Sequence, residues 1–274
     1  MGQLFSRLLL ATEHTEFDAG AEAVAISMAR RCQLPLATVL PLVSNPEYEA
    51  LAPEIAIRAE QEAAANIAKI RANAQAQGVA IDLRVRRGEE PYQEIVAEAR
   101  ARSTEVIIVR RRGKRGFLAN LLVGEMVSKV LAHAPCHVLF VPRDATMWQR
   151  GVLVAAEPGE QGLRLVQTAA AVAAECGLPL HLVYVATGDT KAASADSFLL
   201  QAKAIALQMG VSLQSEVRSG RAFTEILAAA AACQADLLVI GSRSDSHIGR
   251  AVIGGVAQKV IGLSDKPVLA LNLT

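Results

Sequence analysis

Aromatic residues are scarce in this chain: they make up 4% of its 274 residues, with a single tryptophan, while hydrophobic residues of all kinds reach 52%. A core that large with so few rings must be aliphatic, with alanine, leucine and valine packing helices against a sheet. An excess of either charge is missing too, since 28 Lys and Arg face 27 Asp and Glu, a formal net charge of +1. No global field draws in nucleic acid or a membrane surface, so neither is expected as a partner. The four cysteines, Cys32, Cys136, Cys176 and Cys233, stand apart without the paired spacing of a zinc or redox site. Reduced thiols fit a reducing compartment, and the cytoplasm is the expected location. No apolar run approaches the roughly 18 residues of a membrane span, and "LLLA" after Arg7 is too brief for a signal peptide.

Motifs of chemistry are equally thin. H-E-x-x-H, G-x-S-x-G and clustered Cys/His patterns do not occur. Of the five histidines, His133, His137 and His181 fall at helix or strand ends, where structural roles are commoner. His14 beside Glu13 is the best acid–base pair at a strand end, but the corresponding place later in the chain holds Pro158. No set of acids can be placed around a magnesium ion. An enzyme is not expected.

What the chain does have is repetition. "CQLPLATVLPL" from Cys32 returns as "CGLPLHLVYVA" from Cys176, and "ATE" at Ala11 returns as "AAE" at Ala155. "VRRGEEPYQEI" at Val85 returns as "VRSGRAFTEI" at Val217, and "KVLAHAPCHVL" at Lys129 as "KVIGLSDKPVL" at Lys259. Two diverged copies of one unit are predicted, a first domain over 1–143 and a second over 151–274, joined by the polar "RDATMWQRG".

Within each copy, short aliphatic runs alternate with long alanine-rich amphipathic segments. In the second copy the runs "GVLVAA", "LHLVYVA", "VSLQSEV", "DLLVI" and "PVLALN" read as strands. The continuous apolar fourth run suits a strand buried on both faces, and the alternating third suits an edge. Strands alternating with helices predict α/β architecture, with an open doubly wound parallel sheet in each copy. In the first copy, Pro46 to Gly78 reads as one long helix with a solvated face carrying Glu62, Asn66, Lys69 and Arg71.

Ligands of such sheets bind beyond the carboxyl ends of the strands, where the strand order reverses. "GSRSDSHIGRAVIGG", Gly241 to Gly255, follows the fourth strand of the second copy and falls there. Gly241 lets the backbone turn or approach a ligand. Gly254 and Gly255 open a helix whose free N–H groups can hold an anion. Arg243, Arg250, Ser242, Ser244, Ser246 and His247 lie between them. The loop is neither G-x-x-x-x-G-K-[ST] nor G-x-G-x-x-G. Glycines at a strand-to-helix turn are also ordinary on structural grounds alone.

The opening strands ending in Ala-x-acid, the "LPL" second strands and the closing "KVLAHAPCHVLFVP" make each half resemble a universal stress protein domain. The resemblance implies two adenine nucleotide alpha hydrolase-like domains packed as an internal pseudo-dimer through their last strands, with homodimerisation as a further option. The nucleotide-binding branch of the family carries G-x2-G-x9-G-[ST] after the fourth strand. In the second copy Gly241 and Gly254 keep the spacing, Ser244 stands for the second glycine, and Gly255 replaces the phosphate-reaching hydroxyl. Glu157 takes the place of the family aspartate near the adenine and ribose, and Ala155 and Val185 match positions lining the base. The ligand implied there is an adenine nucleotide, ATP with magnesium, and otherwise no cofactor.

In the first copy Arg110 replaces the first glycine, Gly113 keeps the second, and Gly124 comes one residue late. Glu125 stands where a hydroxyl would reach phosphate, and Glu13 replaces the aspartate. A carboxylate at a helix start suits the helix dipole but repels phosphate, so this copy is not expected to bind a nucleotide in the family's manner. Its basic run, Arg110 to Arg115, reads as a solvated loop, or as a contact for an acidic partner or another anion.

The expected function is therefore that of a stress-response binding and regulatory protein without catalysis, acting by protein–protein contact with an unknown partner. The alternative is an ATP-binding protein with one nucleotide site in the second domain. Weak nucleotide hydrolysis stands third.

Overall fold

Aliphatic runs become parallel strands, and the alanine-rich stretches become the helices that cross between them. The computed structural model describes residues 4–111, 125–186, 192–242 and 254–273. They fall into two compact units, one running from Phe5 to Met147 and the other from Trp148 onward.

The first unit contains β1 (Leu8–Ala11), α1 (Ala19–Arg31), β2 (Leu36–Val43), α2 (Pro46–Leu51), α3 (Pro53–Ala76), β3 (Ile81–Gly88), α4 (Pro91–Ala101), β4 (Val106–Arg110), α5 (Glu125–His133) and β5 (His137–Val141). Its strands lie in the order β3-β2-β1-β4-β5, and every pairing is parallel. The second unit contains β6 (Val152–Ala155), α6 (Glu160–Cys176), β7 (Leu180–Ala186), α7 (Ala192–Gln208), β8 (Leu213–Ser219), α8 (Ala222–Ala232), β9 (Leu237–Gly241), α9 (Gly255–Leu263) and β10 (Val268–Leu271). Its order, β8-β7-β6-β9-β10, repeats the first, again all parallel. The two alternating runs, β3 and β8, are the outer strands beside β2 and β7.

Burial follows from the layering. Leu8, Leu9 and Leu10 of β1 and Val106 to Val109 of β4 are buried residue after residue, because helices cover both faces of a parallel sheet. Helix α1 turns Ala21, Val24, Ala25 and Met28 inward, at the spacing that puts one helix stripe on a core. In each unit the first strand neighbours both the second and the fourth. The chain leaves it toward one edge, then returns to build the other. That reversal point, beyond the carboxyl ends of β1 and β4 or of β6 and β9, is where a cleft can form.

Three local expectations are corrected. The long first-copy helix is two, α2 and α3, because Pro53 has no N–H to continue a helix and Ala52 before it takes a non-helical φ of −141°. Asn66 is not on a solvated face, since its side-chain amide donates to the Glu13 carbonyl at 3.2 Å. Strand β8 begins two residues later than its apolar run and extends through Arg218 to Ser219, carried by backbone pairing with β7 rather than by hydrophobicity. The turn after α6 uses Gly177 in the left-handed region, φ 67°. In the first unit the same turn is made by Gln33 at φ 53°, a conformation that costs a side-chain-bearing residue about 1 kcal/mol.

Each unit ties the start of its first strand to the start of its fourth by a carboxylate. The Asp236 carboxylate accepts from the backbone N–H of Gln149 at 2.7 Å and from those of Arg150 and Gly151 at 3.1 Å. Glu105 accepts from the Ser6 N–H at 2.6 Å and the Arg7 N–H at 3.2 Å, and pairs with the Arg7 guanidinium at 2.9 Å. Burial pulls the Glu105 carboxyl up, but hydrogen bonds from Ser6 and Arg7 and the Arg7 charge together hold it below 4.5. A carboxylate with a depressed pKa contributes stability above its unfolded value and loses it as pH falls through the folded one. Glu105→Gln is therefore expected to lower stability at pH 7 by about 1 kcal/mol. In urea titrations that deficit shrinks as the pH is taken below about 4.5, the unfolded value. A deficit unchanged down to pH 3 would show that the charge on Glu105 is not what anchors the strand.

Candidate functional site

In the second unit β6 ends at Ala155, and the Ala156 N–H still reaches the Val183 carbonyl of β7 at 3.2 Å before the chain turns away. The first turn of α6 then folds close against that strand end. A Cβ on Gly162 would stand 1.8 Å from the Glu157 carbonyl oxygen, so no other residue fits this approach. On the neighbouring strand β9 closes with Gly241, and the Ser242 N–H donates to the Leu271 carbonyl at 3.0 Å. The Gly254 N–H returns to the Ser242 carbonyl at 3.3 Å, bringing both ends of the loop together before α9 begins.

These turns surround a cavity of about 460 Å³, within the usual range for a small-molecule site. Six of the seven residues expected to bind a ligand line it: Ala155, Glu157, Val185, Gly241, Gly254 and Gly255. Ser244, with Arg243, Ser246, His247 and Arg250, lies outside the described residues. Leu165, Val183, Ile226 and Ile240 complete an apolar wall, and the exposed Glu157 places a carboxylate on the lining. An apolar wall with convergent backbone and a charged edge, Glu157 and Glu160, can hold a ring bearing a polar appendage.

The matching place in the first unit is filled. Arg110 is not part of a solvated run. It ends β4, and its guanidinium turns inward with the side chain 7% exposed. One nitrogen donates to Asp18 Oδ2 at 2.8 Å and Thr15 Oγ1 at 2.7 Å, and the other to Glu13 Oε2 at 2.8 Å. Asp18 also accepts from the Thr15 N–H at 2.8 Å. A void of about 10 Å³ remains, no more than one water needs. Arg111 donates its N–H to the Val141 carbonyl at 2.7 Å; Arg112, Gly113, Lys114, Arg115 and Gly124 lie outside the described residues.

The repeat register explains the contrast. Arg110 is matched by Gly241 and Asp18 by Gly162, so the second unit lacks both halves of the ion pair. The same holds one layer deeper. Glu22 accepts from the Thr12 hydroxyl at 2.6 Å and meets His14 Nδ1 at 3.0 Å, and these three positions are matched by Val166, Ala156 and Pro158. His14 thus pairs with Glu22, not with its neighbour Glu13, which is held by Arg110. Sequence reasoning misses Asp18 and Gly162. The signal lies in the matched positions, where an acid–base pair in one copy meets a glycine pair in the other.

Several other titratable groups are held within the fold. Glu98, fully buried, is held by Arg86 at 3.1 Å and by Arg102. Burial pushes the His137 and His181 imidazoles down, against a weaker upward pull from Glu105 and Glu216 respectively, and pushes the Cys136 thiol up to about 12. Among the described residues no group of three His, Cys, Asp or Glu side chains could hold a metal ion, and no helix is long and apolar enough to cross a membrane.

Known proteins agree with this architecture. A structure of a universal stress protein from Archaeoglobus fulgidus DSM 4304 superposes with a TM-score of 0.78 at 19% identity, covering 98% of this chain and 97% of that one. A functionally unknown protein from Pseudomonas aeruginosa PAO1 gives 0.72 at 18% identity, covering 98% and 93%. A shorter universal stress protein from A. fulgidus, solved in complex with dAMP, is 24% identical and covers 45% of this chain and 98% of its own, with a TM-score of 0.38. No protein of curated function matches the sequence. The universal stress protein family pattern matches twice, over residues 4–142 and 149–272, and the chain belongs to the universal stress protein family.

Proposed function

We propose that this chain is a one-site binding protein of the stress response: the second domain, 151–274, holds an adenine nucleotide, and the first, 1–143, holds none. The observation that carries this is the asymmetry of the two clefts, about 460 Å³ in one unit and about 10 Å³ in the other. Leu165, Val183, Val185, Ile226 and Ile240 offer the base an apolar wall. The glycines at 241, 254 and 255 leave room for a sugar and phosphate to approach backbone N–H groups. ATP fits this donor set. Magnesium would arrive on its phosphates, as is usual for that ion, with Glu157 the carboxylate on the lining. Occupancy rather than turnover is the output, passed on by protein–protein contact, and the role is regulatory, not catalytic.

Two experiments test this. Calorimetric titration of the full chain with ATP and magnesium should give one site, and mass spectrometry of freshly denatured protein should release one class of adenine nucleotide. Gly241→Arg, which gives the second cleft the side chain that closes the first, should weaken binding at least a hundredfold, about 2.8 kcal/mol. Equal affinity in that variant, with its circular dichroism unchanged, would place the ligand elsewhere or nowhere.

The first unit yields the complementary test. Arg110→Gly leaves Asp18 and Glu13 without their cation, and breaking a buried pair from one side costs about 3–5 kcal/mol. Adding Asp18→Asn should recover part of that loss. Nucleotide affinity should stay at the wild-type value throughout, because the second cleft is untouched. A drop in affinity would mean that the first unit takes part in binding.

A further inference from the structure

The two copies also differ beside the cleft, where the fourth crossing helix meets the loop before the third. In the first unit Lys129 Nζ lies 2.8 Å from Glu90 and 2.9 Å from Glu125, with the Tyr92 ring centroid 5.1 Å away. In the second unit the matched lysine, Lys259, keeps the same seat, its Nζ 4.8 Å from the centroid of Phe223, the residue matched to Tyr92. Both carboxylates are gone: Glu90 is matched by Arg221 and Glu125 by Gly255.

Lys259 and Arg221 are exposed. Among the described residues neither meets a carboxylate, since the nearby Glu225 is taken by Arg218 at 3.6 Å. Neither side chain lines the cavity itself, but both flank residues that do. Arg221 immediately precedes Ala222, which lines it, and Lys259 follows the lining residue Gly255 by four positions on α9. Residues four apart share a helix face, and side chains lean toward the helix start, so Lys259 leans back over Gly255. The acids of the lining, Glu157 and Glu160, come from the opposite side, the turn into α6.

We propose that Lys259 and Arg221 seat the anionic group of the ligand, a phosphate, at the place that the Glu90 and Glu125 carboxylates fill in the first unit. The first unit shows where an anion belongs against this lysine, and among the described residues the second has no carboxylate at that place. This rests on the nucleotide reading of the cavity, and it adds a preference for phosphorylated ligands over the bare nucleoside and a salt-sensitive affinity.

Calorimetry of the full chain with ATP and with adenosine tests it. ATP should bind the wild type at least about tenfold more tightly than adenosine. Lys259→Gln with Arg221→Gln should weaken ATP about tenfold or more, as removing one charge-assisted hydrogen bond does, and leave adenosine within about twofold. A second variant, Arg221→Glu with Gly255→Glu, rebuilds the first unit's carboxylates around Lys259. A Cβ on Gly255 meets nothing within 4 Å, so the fold accommodates it, and ATP preference should vanish there too. Unchanged ATP affinity in both variants, or equal losses for ATP and adenosine, would overturn the proposal. If neither ligand binds the wild type at millimolar concentration, the cavity reading itself is wrong and the proposal falls with it.

Discussion

A parallel sheet wound outward from its middle leaves a gap that no helix covers. In each unit the first and fourth strands lie side by side, and the chains leaving their carboxyl ends turn to opposite faces. Whatever fills that gap decides what the unit can do. In the first unit a guanidinium and two carboxylates fill it from within. In the second, glycines at the positions of Arg110 and Asp18 leave about 460 Å³. Strand order, loop anchors and buried aliphatic runs are otherwise the same in both.

The first unit's solution is not a route to high stability. Desolvating Arg110 and Asp18 costs several kcal/mol per ion before their attraction returns it, and an apolar filling of that volume would do as well. What the pair does supply is mutual satisfaction: Thr15, Glu13 and Asp18 take three hydrogen bonds from the guanidinium and so compensate its charge inside the cleft. Removing one member alone leaves a buried charge, which explains why the two positions differ together between the copies rather than singly. The Thr12, His14 and Glu22 cluster follows the same logic, its matched positions all apolar.

Most of the fold is legible in the residues. The strand and helix segments of the second copy lie where its apolar runs put them, because alternation of short aliphatic and long alanine-rich stretches has few solutions. The break at Pro53 escapes a reading by periodicity, although the backbone chemistry of proline is in view, since the helical pattern runs through it on both sides. Six of the seven expected lining residues meet at one cavity, as spacing along the strand ends requires. The inward turn of Arg110 is hidden, because a run of basic residues after a strand looks solvated until its acid partners, Glu13 and Asp18, are placed beside it by β1–β4 pairing.

Charge beside the cavity follows from the same comparison of copies. Lys129 and Lys259 sit against aromatic rings at nearly the same distance, 5.1 and 4.8 Å, so the lysine keeps its seat over the ring with the carboxylates or without them. The carboxylates are then separable from the lysine's placement, and the first unit supplies them while the second does not. A cation held against an aromatic face, with no carboxylate beside it among the described residues, leaves positive charge near the residues that open α9, screened by solvent because Lys259 is exposed. On the far side of the cavity Glu157 and Glu160 set up the opposite sign. On the proposed reading, a nucleotide would turn its anionic end toward α8 and α9 and its hydrogen-bond donors toward the turn into α6. The first unit, with Arg110 at its centre and two acids around Lys129, has no such polarity left to offer.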